Sequence, residues 1–193
     1  MKLLLFFMAY FALGFVWRSW TVYQHTGVNP LVLPTSDDAY GYVARAFKVV
    51  MGATLVFLTL NAMAPDVVIA QGGFARWPAP LGWVGWLLLI ASTAWMLLAQ
   101  AHMGASWRIG IDTKTDTPLV THGLFAISRN PIFLSVRISL LGLCLALPHA
   151  ATWCFLLAGE LLMQVQVRLE EQHLRQLHGA RYTDYLSRVP RWM

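Results

Sequence analysis

The sequence predicts an all-α, polytopic membrane helical bundle, and three observations predict it. Hydrophobic residues fill 58% of the 193 positions and charged residues only 12%, with a mean hydropathy of +0.55. That balance is too apolar for a surface that faces water. The apolar residues come in unbroken blocks, whereas the strands of a membrane barrel would alternate. Only short polar stretches separate the blocks, so residues 1–193 read as a single integral membrane domain.

Five blocks follow in order: Leu3 to Trp17, Val49 to Ala64, Leu81 to Ala101, Pro131 to Leu147 and Ala151 to Val167. A spanning helix needs ~17 to 25 residues, so the first two are expected to recruit flanking residues such as Tyr40 to Lys48. The first block also has the form of a signal-peptide core, with Ala12-Leu13-Gly14 as a small-residue cleavage site. Charge argues against cleavage. With the N terminus outside, segments 18–48, 102–130 and 168–193 are cytoplasmic and hold 11 Lys and Arg, against Lys2 and Arg76 outside and Arg137 within the membrane. Basic residues concentrate on the cytoplasmic side of membrane proteins. In a bacterial host this would be the inner membrane. Turn residues mark the joints: Asn29-Pro30 and Pro34, Gly72-Gly73 with Pro78 and Pro80, and Pro148-His149, which closes the last two blocks into a helical hairpin.

Several classes drop out. The net charge of +5 flanks the apolar blocks instead of forming one patch, which argues against nucleic acid as a partner and for the lipid bilayer. Cys144 and Cys154 lie inside apolar blocks and form neither a disulfide framework nor a zinc pattern. His102, His122, His173 and His178 match no familiar metal spacing, so no metal site is expected.

Polar residues inside the blocks carry the functional signal. Arg137 and Glu160 lie equally far from the hairpin turn, about 11 residues or ~17 Å at 1.5 Å per residue. Both are then near mid-membrane, where an unpaired charge is costly, so they are expected to face the interior and pair. The same count places Arg129 opposite Glu170 near the cytoplasmic boundary. Glu160, Gln164, Arg168 and Glu171 share one helix face, a polar stripe expected to line a cleft. Segment 102–130 reads as an ordered loop, because Trp107, Ile109, Ile111, Leu119, Val120, Leu124 and Phe125 need burial. Ordered loops of this length usually serve a function.

The run Leu119-Val120-Thr121-His122-Gly123-Leu124-Phe125-Ala126-Ile127-Ser128-Arg129-Asn130-Pro131-Ile132-Phe133, an apolar span, then Glu170-Glu171, Gly179, Tyr182, Tyr185, Val189 and Pro190 resemble the isoprenylcysteine carboxyl methyltransferase family. These are integral membrane enzymes related to phospholipid N-methyltransferases. The family pattern is Leu-Val-x-x-Gly-x-Tyr-x-x-x-Arg-His-Pro-x-Tyr-x-Gly, then Glu-Glu. The resemblance is strongest over 102–193, with Gly104 and Trp107 extending it upstream. Three departures stand out: Asn130 replaces His, Phe125 and Phe133 replace Tyr, and Ser135 replaces Gly. Asn keeps a donor and an acceptor but cannot titrate, so a hydrogen-bonding role survives there and a proton-transfer role does not.

The resemblance implies methyl transfer from S-adenosyl-L-methionine to a lipophilic acceptor, most readily a carboxylate. Carried over by position, it implies Thr117, Pro118, Leu119, Val120, Phe125, Arg129, Asn130 and Glu171 as cofactor-binding residues, with Gly110 or Ile111 beside them. Chemically, Glu171 and Glu170 suit the cofactor's ammonium and ribose hydroxyls, Asn130 and loop backbone its carboxylate, and Leu119, Val120 and Phe125 its adenine. The catalytic candidates are Arg168, suited to grip an acceptor carboxylate, and Glu170, which with His122 would assist an amine acceptor. Three alternatives stay open: N-methylation of a phospholipid or another amine, a nicotinamide-dependent membrane reductase, and a non-catalytic membrane protein. The reductase reading lacks a Gly-rich phosphate turn.

Overall fold

The computed structural model describes residues 1–32, 34, 36–74, 77–110 and 117–193. Arg76, Ile111 and Lys114, which the sequence reading uses, lie outside these residues. Helix α1 spans Lys2–Thr26, α2 Ala39–Met63, α3 Pro65–Ala70, α4 Ala79–Met103, α5 Pro131–Ala146, α6 Ala150–His178 and α7 Ala180–Arg188. The protein is a polytopic helical membrane bundle. Four helices are long and apolar enough to cross a bilayer: α1, α2, α4 with its 3₁₀ extension to Ser106, and α6. Large apolar side chains ring the outside, Val49 and Leu161 each at 69% exposure, a surface that suits lipid.

As expected, the first two spans recruit flanking residues: α1 runs nine residues past Trp17, and α2 begins at Ala39. Asp38 starts α2 by accepting a hydrogen bond from the Gly41 amide at 2.8 Å. Within α1, Ala12–Trp17 winds as a π-helix. There the Gln100 side-chain amide donates to the Gly14 carbonyl at 2.8 Å, replacing what the wider winding loosens. Arg18 closes α4 by donating to the carbonyls of Gln100 and Gly104 at 2.8 and 2.6 Å, a cation on the negative end of a helix.

The fourth block forms a shorter span than the others. Helix α5 has 16 residues, or ~24 Å at 1.5 Å per residue, against a hydrocarbon core of ~30 Å. Its turn into α6 is therefore covered by the segment after α3. Phe74 donates to the Pro148 carbonyl at 3.1 Å and Ala150 to the Gly72 carbonyl at 3.0 Å, so backbone groups at the joint find protein partners. His149 caps α6 by accepting from Ala151 at 3.0 Å, while its Nε2 lies 2.9 Å from the Val68 carbonyl.

Helices α4 and α5 pack backbone to backbone, because a Cβ on Gly85 would overlap the main chain of Gly142 and Ala146. Ser92 and Ser139 share a hydrogen bond at 2.7 Å across that contact, and Trp95 donates to the Pro131 carbonyl at 3.1 Å. This pairing fixes where α5 begins, and the candidate site lies at that end.

Candidate functional site

The N-terminal end of α5, the C-terminal half of α6, helix α7 and the loop after α4 come together around a cleft. Thr117, Pro118, Leu119, Val120, Phe125, Arg129, Asn130, Glu170 and Glu171 all line it. Met103, Ser106, Leu174, Tyr182 and Tyr185 complete the wall. Arg168 and His122 are not among the lining residues. Arg168 is exposed and donates to the Gln164 carbonyl and Oε1 at 2.6 and 2.7 Å. His122 is exposed, with its ring 6.3 Å from that of His102.

The loop acquires its shape from a few local constraints. Gly123, at φ +59°, starts a 3₁₀ turn over Gly123–Ala126 in a conformation that L side chains avoid, and a Cβ there would press on the His102 ring. His102 in turn accepts from the Leu124 amide at 3.2 Å. The turn delivers Phe125 to the cleft wall, and the buried Tyr185 hydroxyl donates to the Phe125 carbonyl at 2.5 Å. Trp107 and Phe125 are buried as expected; Ile109, Leu119, Val120 and Leu124 are half-buried.

The twin carboxylates have different surroundings. Both oxygens of the buried Glu171 are occupied: Oε1 accepts from Arg129 Nη2 at 3.0 Å and Arg191 Nε at 2.9 Å, and Oε2 from Arg191 Nη2 at 2.7 Å. The expected juxtaposition of Arg129 with Glu170 is thus corrected to Arg129 with Glu171. Consecutive helix residues point about 100° apart, and counting from the hairpin turn fixes depth but not direction. Glu170 lines the cleft and, among the described residues, makes no hydrogen bond or ion pair.

Arg129 also ties the C-terminal tail down. Its Nη1 donates to the carbonyls of Leu186 and Val189 at 3.2 and 2.6 Å, and its amide donates to Pro190 at 3.0 Å. Asn130, buried where the family pattern has His, donates from Nδ2 to the Arg191 carbonyl at 3.1 Å. Its side-chain donor therefore serves the tail. The Glu171 carboxylate raises the pKa of the Arg191 guanidinium. Burial pushes the Tyr185 phenol up to about 12, and burial with the nearby Glu171 and Glu170 charges raises that of Tyr182 further. Both phenols stay neutral, and both residues line the cleft.

Arg191 is the one strongly engaged residue here that the sequence reading passed over. Its only sequence signal is a basic residue just after Val189-Pro190, and nothing local identifies Glu171 as its partner.

Farther along α6 the polar stripe is a chain of contacts. Gln164 donates to Glu160 at 2.7 Å, and Glu160 pairs with Arg137 Nε at 2.7 Å, as the depth count expects. Glu171 leaves this chain for the arginine cluster.

No curated protein matches the chain. Residues 83–176 match the model of the isoprenylcysteine carboxyl methyltransferase family, from inside α4 through α5 to near the end of α6. That stretch carries the loop and the Glu170-Glu171 wall of the cleft but stops short of Tyr182, Tyr185 and Arg191. The match spans 94 of the 193 residues, so over 83–176 the chain is similar to a family of membrane methyltransferases.

Proposed function

We propose that this protein transfers a methyl group from S-adenosyl-L-methionine to a lipophilic acceptor, and that the cleft holds the cofactor. The observation that carries the reading is Glu170, a carboxylate that makes no hydrogen bond or ion pair among the described residues and shares its cleft with Leu119, Val120, Phe125 and Leu174. A ligand bearing positive charge and a flat apolar ring system fits that wall. Leu119, Val120, Phe125 and Leu174 offer the apolar slot, Glu170 takes the ammonium, and the phenols of Tyr182 and Tyr185 stand beside it. Arg129 and Glu171 hold the wall in place, with Thr117, Pro118 and Asn130 completing it.

When bound, the cofactor supplies a methyl group on a sulfonium leaving group. An ionised carboxylate acceptor forms the new O–CH₃ bond as the S–CH₃ bond breaks; its electron pair stays on sulfur, and no proton moves. A carboxylate is ionised near neutral pH, so this needs no general base. What the chain must do is align the two partners and exclude water. The tail, stitched over the α5 terminus by Arg129, Asn130 and Arg191, closes the cleft on one side. In the orientation set by the basic residues, the cleft faces the cytoplasm.

The test is calorimetric titration of the purified protein with S-adenosylhomocysteine and, separately, with reduced nicotinamide dinucleotide phosphate. Saturable binding of the first alone is expected. Binding of the dinucleotide alone would overturn the reading in favour of a reductase.

A further inference from the structure

Glu170 and Glu171 both line the cleft, but among the described residues only Glu170 is without a hydrogen bond or ion pair. The C-terminal tail makes the difference. Oε1 of Glu171 would be held without the tail, since it accepts from Arg129 Nε at 3.3 Å and Nη2 at 3.0 Å. Oε2 would not: its sole donor among the described residues is Arg191 Nη2, at 2.7 Å. Nε of the same guanidinium reaches Oε1 at 2.9 Å, so Arg191 grips the carboxylate as a fork.

Backbone, not side chain, brings Arg191 to this place. The carbonyls of Leu186, Val189 and Pro190 accept from Arg129. The carbonyl of Arg191 accepts from Asn130 Nδ2 and, at 3.4 Å, from the buried Ser128 hydroxyl. Every residue type has a carbonyl, so the side chain at 191 can change while these bonds keep the tail on the start of α5. The Arg191 side chain, in turn, hydrogen-bonds Glu171 alone among the described residues and is not part of the cleft lining. Its effect on a ligand passes through Glu171.

That effect is one of charge. Glu170, Glu171, Arg129 and Arg191 sum to zero. Without Arg191 the sum is one negative charge, and Oε2 opens on the wall that Glu170 shares. Two free carboxylates in one cleft favour a dication over a single ammonium.

We propose that Arg191 is a positioning residue that sets the charge selectivity of the cleft: by holding Glu171 Oε2 it leaves Glu170 as the one carboxylate free to bind a cation. This rests on the cofactor reading and deepens it. Arg191 lies beyond residues 83–176, the stretch that the family match covers, so the device belongs to the tail.

The experiment compares the affinities of the full chain in detergent for S-adenosylhomocysteine, which carries one ammonium, and for sinefungin, in which a second ammonium replaces the methylsulfonium group. The readout is the ratio of the two, which a general loosening of the site leaves alone. Arg191→Gln should shift it toward sinefungin by about tenfold, the effect of one unit charge at ~12 Å and an effective dielectric of ~20. Glu171→Gln removes the opposite charge and should shift the ratio by a similar factor toward S-adenosylhomocysteine. Arg191→Gln with Glu171→Gln restores the balance of charge, and its ratio should return close to that of wild type although the fork is gone. Arg191→Lys, which keeps the charge, should stay close to wild type as well. Shifts of the same sign in the two single variants, or a double variant that remains shifted, would overturn the role of Arg191. So would an unmoved ratio in Glu171→Gln, a result that does not depend on Arg191→Gln folding. Failure of wild type to bind either ligand is a different outcome and would sink the cofactor reading itself.

Discussion

Glu170 and Glu171 are neighbours in sequence, yet the structure assigns them separable consequences when each is changed to Gln. Glu171 receives charge-assisted hydrogen bonds from two arginines and is buried with Arg129, the two side chains being 9% and 11% exposed. Breaking a buried pair by removing one partner costs about 3 to 5 kcal/mol. The lower end applies here, since Arg129 Nη1 keeps its bonds to Leu186 and Val189 and Arg191 is partly open to solvent. Glu171→Gln should therefore lower the thermal unfolding midpoint in detergent clearly and loosen the tail. Glu170 stabilises no such network, so Glu170→Gln should leave the midpoint near that of wild type. It should instead weaken S-adenosylhomocysteine binding by about 1.5 to 3 kcal/mol, the contribution of a hydrogen bond to a charged group, or roughly 10- to 150-fold in Kd. Tryptophan-fluorescence melts and calorimetric titration of both variants provide the check. If Glu170→Gln binds like wild type while Glu171→Gln melts like wild type and binds weakly, the assignment is reversed and the reasoning from ion-pair occupancy is wrong.

Four further outcomes follow from the same geometry. Arg137→Met and Glu160→Leu should each destabilise the protein alone and recover much of the loss together, with a coupling of about 1 to 3 kcal/mol in a double-mutant cycle on unfolding; simple additivity would show that the charges do not interact. His149→Ala should cost about 1 to 2 kcal/mol in the same melts by removing the α6 cap, and His149→Asn, whose side chain also caps, should cost less. In a background without Cys144 and Cys154, an impermeant thiol reagent added to intact cells should label Gln71→Cys and spare Arg188→Cys; the opposite pattern would reverse the orientation. Tyr185, with its pKa raised by burial from 10.0 to about 12, contributes stability that is whole below pH 10 and lost as pH rises toward 12. Tyr185→Phe should flatten that alkaline decline in pH-resolved melts while costing about 1 kcal/mol at neutral pH for the lost bond to Phe125.

What the sequence could convey was set by the kind of information each inference needed. Block lengths and turn residues give spans, because a spanning helix needs a minimum run of apolar residues whatever surrounds it. The hairpin turn at Pro148-His149 converts position into depth, which is why the Arg137 and Glu160 pair was legible. The short reach of α5 was legible too, since the apolar run Pro131 to Leu147 outlasts the helix by a single residue, but the segment that covers its turn was not. The π-helical stretch of α1 depends on a hydrogen bond from Gln100, 86 residues away, and carries no local signature.

The site divides along the same line. Its cofactor candidates came from an ordered motif and converge on one cleft, because the motif occupies a single loop and the helix ends it touches. Arg191 could not be found that way: its contribution is a return contact from a tail that doubles back after α7, and the family match ends before it begins. That same return contact links the two polar features. The backbone that carries Arg191 to Glu171 carries Trp192 to Arg137, so a movement that frees the tail from Glu171 also draws Trp192 off Arg137. Replacing Arg191 should therefore loosen both contacts, whereas replacing Arg137 together with Glu160 should leave the bond between Arg191 and Glu171 in place.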